Sequence, residues 1–264
     1  MNFWINEIII SVYADRCGTR LFLKKMLYNK EYGRRDYMKI AAIYTGIGPS
    51  LMSVVNKELS LQVPGHNIMT FADPSLLDEI IDNGYITVKV RRKLLGMYFN
   101  AVNCGAEIIY NICSSVGEIA DEAKHIFSLM DVSVVRIDEL MAVNAVKTGN
   151  TLGVIATLPS TLNPTKCLLN KTAQNHNLNI NIIDALIDDG YHLPQQEMNK
   201  AIIEKAIKIA PSVDAVVLAQ ASMALCEEEL RAKCDKPVFS SPRFGALNIK
   251  NVVNNINKEK KYEF

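Results

Sequence analysis

Glu107-Ile108-Ile109-Tyr110-Asn111-Ile112-Cys113-Ser114-Ser115-Val116-Gly117-Glu118-Ile119-Ala120-Asp121 is the stretch that decides the fold. Residues 108–112 form an apolar run that reads as a buried strand. A thiol, two hydroxyls and a small Val-Gly pair follow, and then a helical pattern over residues 118–128. Cys113 is therefore expected at the carboxyl end of a strand with a helix start behind it. In open α/β sheets that crevice is where ligands bind. The helix start offers unpaired amides and a partial positive charge, which favour thiolate over thiol. The structural alternative is a buried Cys beside a Ser cap, because free Cys is among the most buried residue types.

The same grammar extends outward in both directions. Toward the N-terminus, residues 40–45 read as a first strand, with a turn at 46–49 and a helix over 50–59. Residues 67–71 read as a second strand and 75–82 as a helix, which Asn83-Gly84 stops. A longer helix over 87–103 leads into the central strand, and residues 132–137 form a further strand. Strands alternating with helices imply a mainly parallel sheet covered on both faces. Residues 152–157, 179–184, 214–219 and 238–240 repeat the order of 40–45, 67–71, 107–112 and 134–136, and the helix at 195–209 repeats the one before the central strand. The expected fold class is α/β: two pseudo-symmetric Rossmann-like lobes facing one interlobe cleft. Residues 38–143 plus 244–264 make the N-terminal lobe with Cys113, and 144–243 make the C-terminal lobe. A last helix at about residues 246–256 returns to cover the first lobe. By the repeat, the position opposite Cys113 is Gln220.

Residues 1–37 lack this pattern. They are read as an N-terminal extension, and as an upstream mis-start if the gene is bacterial and the codons of Gly33-Arg34-Arg35 are a purine-rich ribosome-binding site. Bulk properties narrow the partners. A formal net charge of +1 leaves no basic excess for nucleic acid or an anionic membrane surface, and no apolar run has the length needed to span a bilayer. The six cysteines, at 17, 104, 113, 167, 226 and 234, show no paired short spacing of the zinc or redox kind. Cys104, Cys167 and Cys226 lie in apolar helical contexts, and Cys17 and Cys234 are expected at the surface. A reduced, cytoplasmic protein is the simplest account. No His, Asp and Cys cluster at metal-ligand spacing and no Gly-x-Gly-x-x-Gly follows a strand, so neither metal nor dinucleotide cofactor is expected.

Three pieces in this order carry a resemblance: strand-Cys113-Ser114-Ser115-helix; Gly153-Val154-Ile155-Ala156-Thr157-Leu158-Pro159-Ser160-Thr161 opening the second half; and Leu218-Ala219-Gln220-Ala221-Ser222-Met223. Together, over residues 38–256, the chain resembles the aspartate/glutamate/hydantoin racemase superfamily. The resemblance implies a cofactor-independent isomerase that acts on a small carboxylate, an amino acid or related acid; a homo-oligomer is compatible with it. Racemases of this family use one cysteine from each lobe on opposite faces of the substrate. Cys113 matches the first, and Gln220 stands where the second belongs. An amide has no proton-transfer pKa near neutrality, so it can hold a substrate oxygen but not act as acid or base. The resemblance carries substrate contacts to Thr45, Gly46, Ser114, Ser115, Thr157, Ser160, Thr161, Gln220 and Ser222; for the Ser and Thr residues, helix capping is the structural alternative. His192 and Arg243 are weaker candidates, and Cys226, six residues beyond Gln220, reads as structural. Two further functions stay open. One is a lyase in which a carboxylate leaves and Cys113 protonates the enediolate, as single-cysteine decarboxylases of the superfamily do with a thiol on the other lobe. The other is a non-catalytic carboxylate-binding protein.

Overall fold

The structure, a computed structural model, describes residues 37–262. The reading of residues 1–37 as an extension therefore falls, Tyr37 apart, outside the described residues. The first half runs β1 (Lys39–Tyr44), α1 (Pro49–Gln62), β2 (Asn67–Ala72), α2 (Ser75–Asn83), α3 (Val88–Asn103), β3 (Ile108–Asn111), α4 (Gly117–Ser128), β4 (Ser133–Arg136) and α5 (Glu139–Val146). The second runs β5 (Thr151–Ala156), α6 (Pro159–Asn175), β6 (Asn181–Leu186), α7 (Gln195–Ile209), β7 (Ala215–Leu218), α8 (Glu227–Lys233), β8 (Val238–Ser240) and α9 (Ser241–Tyr262). Each half forms a four-stranded sheet, in the order β2-β1-β3-β4 and β6-β5-β7-β8, and every pairing is parallel. The chain is an α/β protein of two pseudo-symmetric lobes, as its repeat predicts.

The strands are apolar on both faces because helices cover both. Along β1, Ala41 and Ile43 face a core built with α2, α3 and α4, while Ile40, Ala42 and Tyr44 face one built with α1 and α9. In the second sheet, Leu152, Val154 and Ala156 pack with α5 and α6, and Ile155, Val216 and Leu218 pack with α7 and α8. Two helices cross between lobes. Met141, Ala142, Ala145 and Val146 of α5, which follows β4 of the first sheet, are buried in the second lobe's core. Ala246, Ile249 and Val253 of α9, which follows β8 of the second sheet, are buried in the first lobe's core. Helix α5 has no place in the sequence reading, and α9 starts earlier and runs further than the expected 246–256.

One buried charge fixes the turn that follows β3. Arg136, 3% exposed at the end of β4, makes a two-pronged pair with Asp138, Nε to Oδ1 at 2.8 Å and Nη2 to Oδ2 at 3.0 Å. Its Nη1 donates to Asp121 Oδ2 of α4 at 2.8 Å. Burial by itself would raise the Asp121 carboxyl, but Arg136 and Lys124 hold it below the ordinary value of 3.8. Asp121 thus adds stability that is full above the ordinary value and is lost as pH falls through the depressed one. Gly117, the first residue of α4, lies flat on the guanidinium: a Cβ there would sit 2.2 Å from Arg136 Nη2.

Gly117→Ala should therefore cost about 3 kcal/mol, the scale of disturbing a buried ion pair or overfilling a core. Gly96→Ala, in mid-α3 where an added Cβ meets nothing within 4 Å, should instead stabilise by about 0.5–1 kcal/mol. Urea unfolding of both variants checks the contrast.

Candidate active site

Parallel strands bring the carboxyl ends of β1, β3, β5 and β7 to one cavity of about 230 Å³ between the lobes. Cys113 and Gln220 both line it, with Thr45, Gly46, Ser114, Ser115, Thr161 and Ser222. Thr157 and Ser160 are not part of the lining. A larger cavity of about 480 Å³ runs along the outer edge of β4, but its Lys124 and Glu139 are paired with each other at 2.6 Å and no cysteine lines it.

The two walls are built on the same plan and finished differently. Thr45 and Thr157 are each the residue after the first strand of their lobe, and Cys113 and Gln220 each stand two residues past the strand beside it. In the second lobe this pair is closed. Gln220 Oε1 accepts from the Thr157 amide at 2.8 Å and from Thr157 Oγ1 at 3.0 Å, and Gln220 Nε2 donates to Thr157 Oγ1 at 2.8 Å. In the first lobe the matching hydroxyl is not closed off in this way: Thr45 Oγ1 is fully buried with no oxygen or nitrogen partner and leans on the Cys113 sulfur. A buried hydroxyl left unpaired carries a desolvation cost, which a bound ligand oxygen would relieve. The walls are joined by one buried hydrogen bond, Ser115 Oγ to Thr161 Oγ1 at 2.9 Å.

Cys113 is held from behind. Asn111, buried at the end of β3, donates Nδ2 to the Cys113 carbonyl at 2.9 Å, and Tyr98 donates its hydroxyl to Asn111 Oδ1 at 3.0 Å. The peptide that carries the thiol is thereby locked to a core tyrosine. The sequence reading expects a thiolate here, and the structure corrects it. Burial pushes the Cys113 thiol up; Thr45, the amides of Ser115 and Val116, and the Ser115 hydroxyl all act in the opposite direction and do not offset it. The short turn Ser114–Val116 places residues between the sulfur and α4, so the donors nearest the half-buried sulfur are turn amides and not the first amides of the helix.

The other thiols sort differently from the sequence reading. Cys104 and Cys167 are exposed, and Cys234 is buried. Cys226 is buried, donates its Sγ–H to the Met223 carbonyl at 3.1 Å, and is pushed up to about 11 by burial. Cys17 lies outside the described residues. His192 and Arg243 are exposed and away from the cavity lining. Among the described residues no group of three or more His, Cys, Asp or Glu is arranged to hold a metal ion, and no helix is long and apolar enough to cross a membrane.

The cavity also contains residues absent from the sequence reading: Ser50, Leu51, Leu77, Tyr191 and Gln195. Tyr191 follows Asp189, whose φ of 54° turns the chain after β6 back over the cleft. Its phenol is raised by burial and by the nearby Asp78 and Cys113. A positive φ at a short acidic residue just after a strand end is the kind of turn that Asp-Asp-Gly announces.

The same two-lobed arrangement recurs in solved structures. Glutamate racemase from Francisella tularensis, solved with D-glutamate, matches at a TM-score of 0.63 and 15% identity over 84% of this chain and 83% of that one. The chain has the aspartate/glutamate/hydantoin racemase fold. Aspartate racemase from Picrophilus torridus matches at a TM-score of 0.59 and 16% identity, over 82% of this chain and 94% of that one. Allantoin racemase from Klebsiella pneumoniae matches at 0.59 and 14%, over 83% and 89%. No family model matches the sequence, and no curated protein does. At these identities the likeness is one of fold: the racemase frame is shared, and the chemistry has to be argued from the cavity.

With its raised thiol, Cys113 should react slowly with limiting iodoacetamide at neutral pH, after exposed Cys104 and Cys167. Its rate should climb through a higher pH than that of an ordinary thiol. Thr45→Val removes the strongest group favouring the thiolate and should move that pH higher still. Peptide mapping by mass spectrometry across a pH series reads both effects.

Proposed function

We propose that this protein is a cofactor-independent isomerase of racemase type that acts on a small carboxylate through Cys113. The observation that carries the proposal is the asymmetric pair of walls: a thiol beside a buried hydroxyl with no oxygen or nitrogen partner faces an amide already satisfied by its own threonine. The substrate carboxylate takes Thr45 Oγ1 and the turn amides after Cys113, which stabilise the enediolate that forms when the neighbouring carbon loses its proton. The thiolate of Cys113, formed when the resting thiol gives its proton to solvent, takes the substrate proton and returns it. Gln220, committed to Thr157, cannot deliver a proton from the far face. The reaction therefore runs on one face: the C–H bond breaks to the thiolate, and the S–H proton returns to a conjugated carbon, which isomerises the substrate, or to the same carbon, which gives hydrogen exchange with retention. A Cys113→Ser protein should keep its fold and exchange the substrate's carbon-bound hydrogen about 10²–10⁴-fold more slowly.

The protonated resting thiol favours a second reading. A thiol held neutral by burial is suited to the acid role of a decarboxylase. There the C–C bond to carbon dioxide breaks, its electrons enter the enediolate, and the Sγ proton passes to carbon; solvent then reprotonates the thiolate. Incubation with candidate carboxylates in heavy water, followed by NMR and carbon dioxide detection, separates the two. Deuterium at carbon without loss of carbon dioxide is expected. Release of carbon dioxide would establish the lyase, and binding with neither would leave a carboxylate-binding protein. Gln220→Cys, which supplies a thiol on the far wall, should add slow inversion of configuration to an exchange that otherwise proceeds with retention; chiral chromatography of the product measures it.

A further inference from the structure

The cavity is built without a formal charge. Among its lining residues there is no Lys, Arg, His, Asp or Glu. The two groups there that could ionise, Cys113 and Tyr191, are both pushed toward their neutral forms by burial. Asp78, the carboxylate whose field reaches Tyr191, is exposed and does not line the cavity. Its side-chain polarity comes from neutral hydroxyls and carboxamides, and the helix starts beside it add backbone donors. Helix α1 starts after Gly48 and α6 after Leu158, both at the cavity and neither with a side-chain cap. The turn after Cys113 adds the Ser115 and Val116 amides, and Thr45 adds a buried hydroxyl with no oxygen or nitrogen partner. Helix starts and free amides hold a negative group and repel a positive one. Leu51, Leu77, Ile112 and Leu158 make an apolar part of the wall, and Ser50, Ser222, Tyr191 and Gln195 add uncharged polar groups to it.

We infer that the substrate is a small monocarboxylate with an uncharged polar group and an apolar arm, and that the site discriminates against free α-amino acids. One carboxylate matches the uncapped helix starts and Thr45. An ammonium would be desolvated beside those same donors with no counter-charge, and a charge buried without a partner is strongly disfavoured. A second carboxylate, as in aspartate or glutamate, would have no cation to meet it. A hydroxyl is accommodated, since it can accept from a donor as well as donate. This rests on the reading of the cavity as a substrate site, and it names the substrate class that the preceding proposal leaves open.

The test uses a matched pair, leucine and 2-hydroxy-4-methylpentanoate, which differ only in carrying an ammonium or a hydroxyl on the α-carbon. Aspartate and glutamate are measured beside them. Titration calorimetry on the full chain is paired with protection of Cys113 from iodoacetamide, so that binding is located in the cavity. The hydroxy acid is expected to bind at least about tenfold more tightly than leucine, with aspartate and glutamate weaker than both. Gln195→Glu places a carboxylate on the cavity wall and should shift the ratio toward leucine. Equal or tighter binding of leucine, aspartate or glutamate overturns the inference. So does failure of the hydroxy acid to bind or to protect Cys113, or an unchanged ratio in Gln195→Glu. The isomerase reading fails separately: tight hydroxy-acid binding without exchange of its α-hydrogen in heavy water would remove the catalysis and keep the charge selection.

Discussion

Parallel pairing is the constraint on which the rest of this structure depends. A strand that runs alongside its neighbour in the same direction must be followed by a crossover, and every crossover here opens at the same edge of its sheet. The consequence is a concentration of unpaired amides at the carboxyl ends of β1, β3, β5 and β7. Two such edges, turned toward each other, create a cavity with no charged side chain in its wall. The chemistry of the site follows from backbone direction first and from side chains second.

The side chains then break the symmetry that the backbone offers. Both lobes present a threonine after their first strand and a residue two positions beyond the adjacent strand. In one lobe these are Thr157 and Gln220, which satisfy each other; in the other they are Thr45 and Cys113, which leave a hydroxyl open and a thiol protonated. Asn111 contributes to the difference. Its carboxamide ties the Cys113 carbonyl to Tyr98, whereas the matching position in the second lobe is Leu218, which can do neither. Beneath this, Arg136 lies against Gly117 and pairs with Asp121 and Asp138, so a buried ion pair underlies the start of α4.

Much of this was legible in the chain because buried parallel strands are apolar on both faces and so stand out as short runs between turn residues. The eight strands, the helix at 195–209 and the shared cavity of Cys113 and Gln220 were read that way. Helix α5 was not: Leu-Met-Ala-Val-Asn-Ala-Val is apolar nearly all round and follows a strand directly, so it shows no helical stripe. Helix α6 runs through Pro164, which in sequence argues against a long helix. The α9 ends were missed because Ser-Pro at its start and Asn-Lys repeats toward its finish carry little apolar signal. At the site, Leu77, Tyr191 and Gln195 come from loops and helix starts distant from any motif. The state of the Cys113 thiol depended on a contest between burial and local donors that only three-dimensional packing decides.

The exchange of α5 and α9 has an architectural consequence. Each half of the chain ends in a helix that completes the core of the other half, so each lobe depends on the other to bury its own apolar surface. The two helices also pack against each other where they cross. The two halves are interlaced, and a polypeptide carrying either half alone would have a missing wall that only a second half, from the same chain or another, could supply.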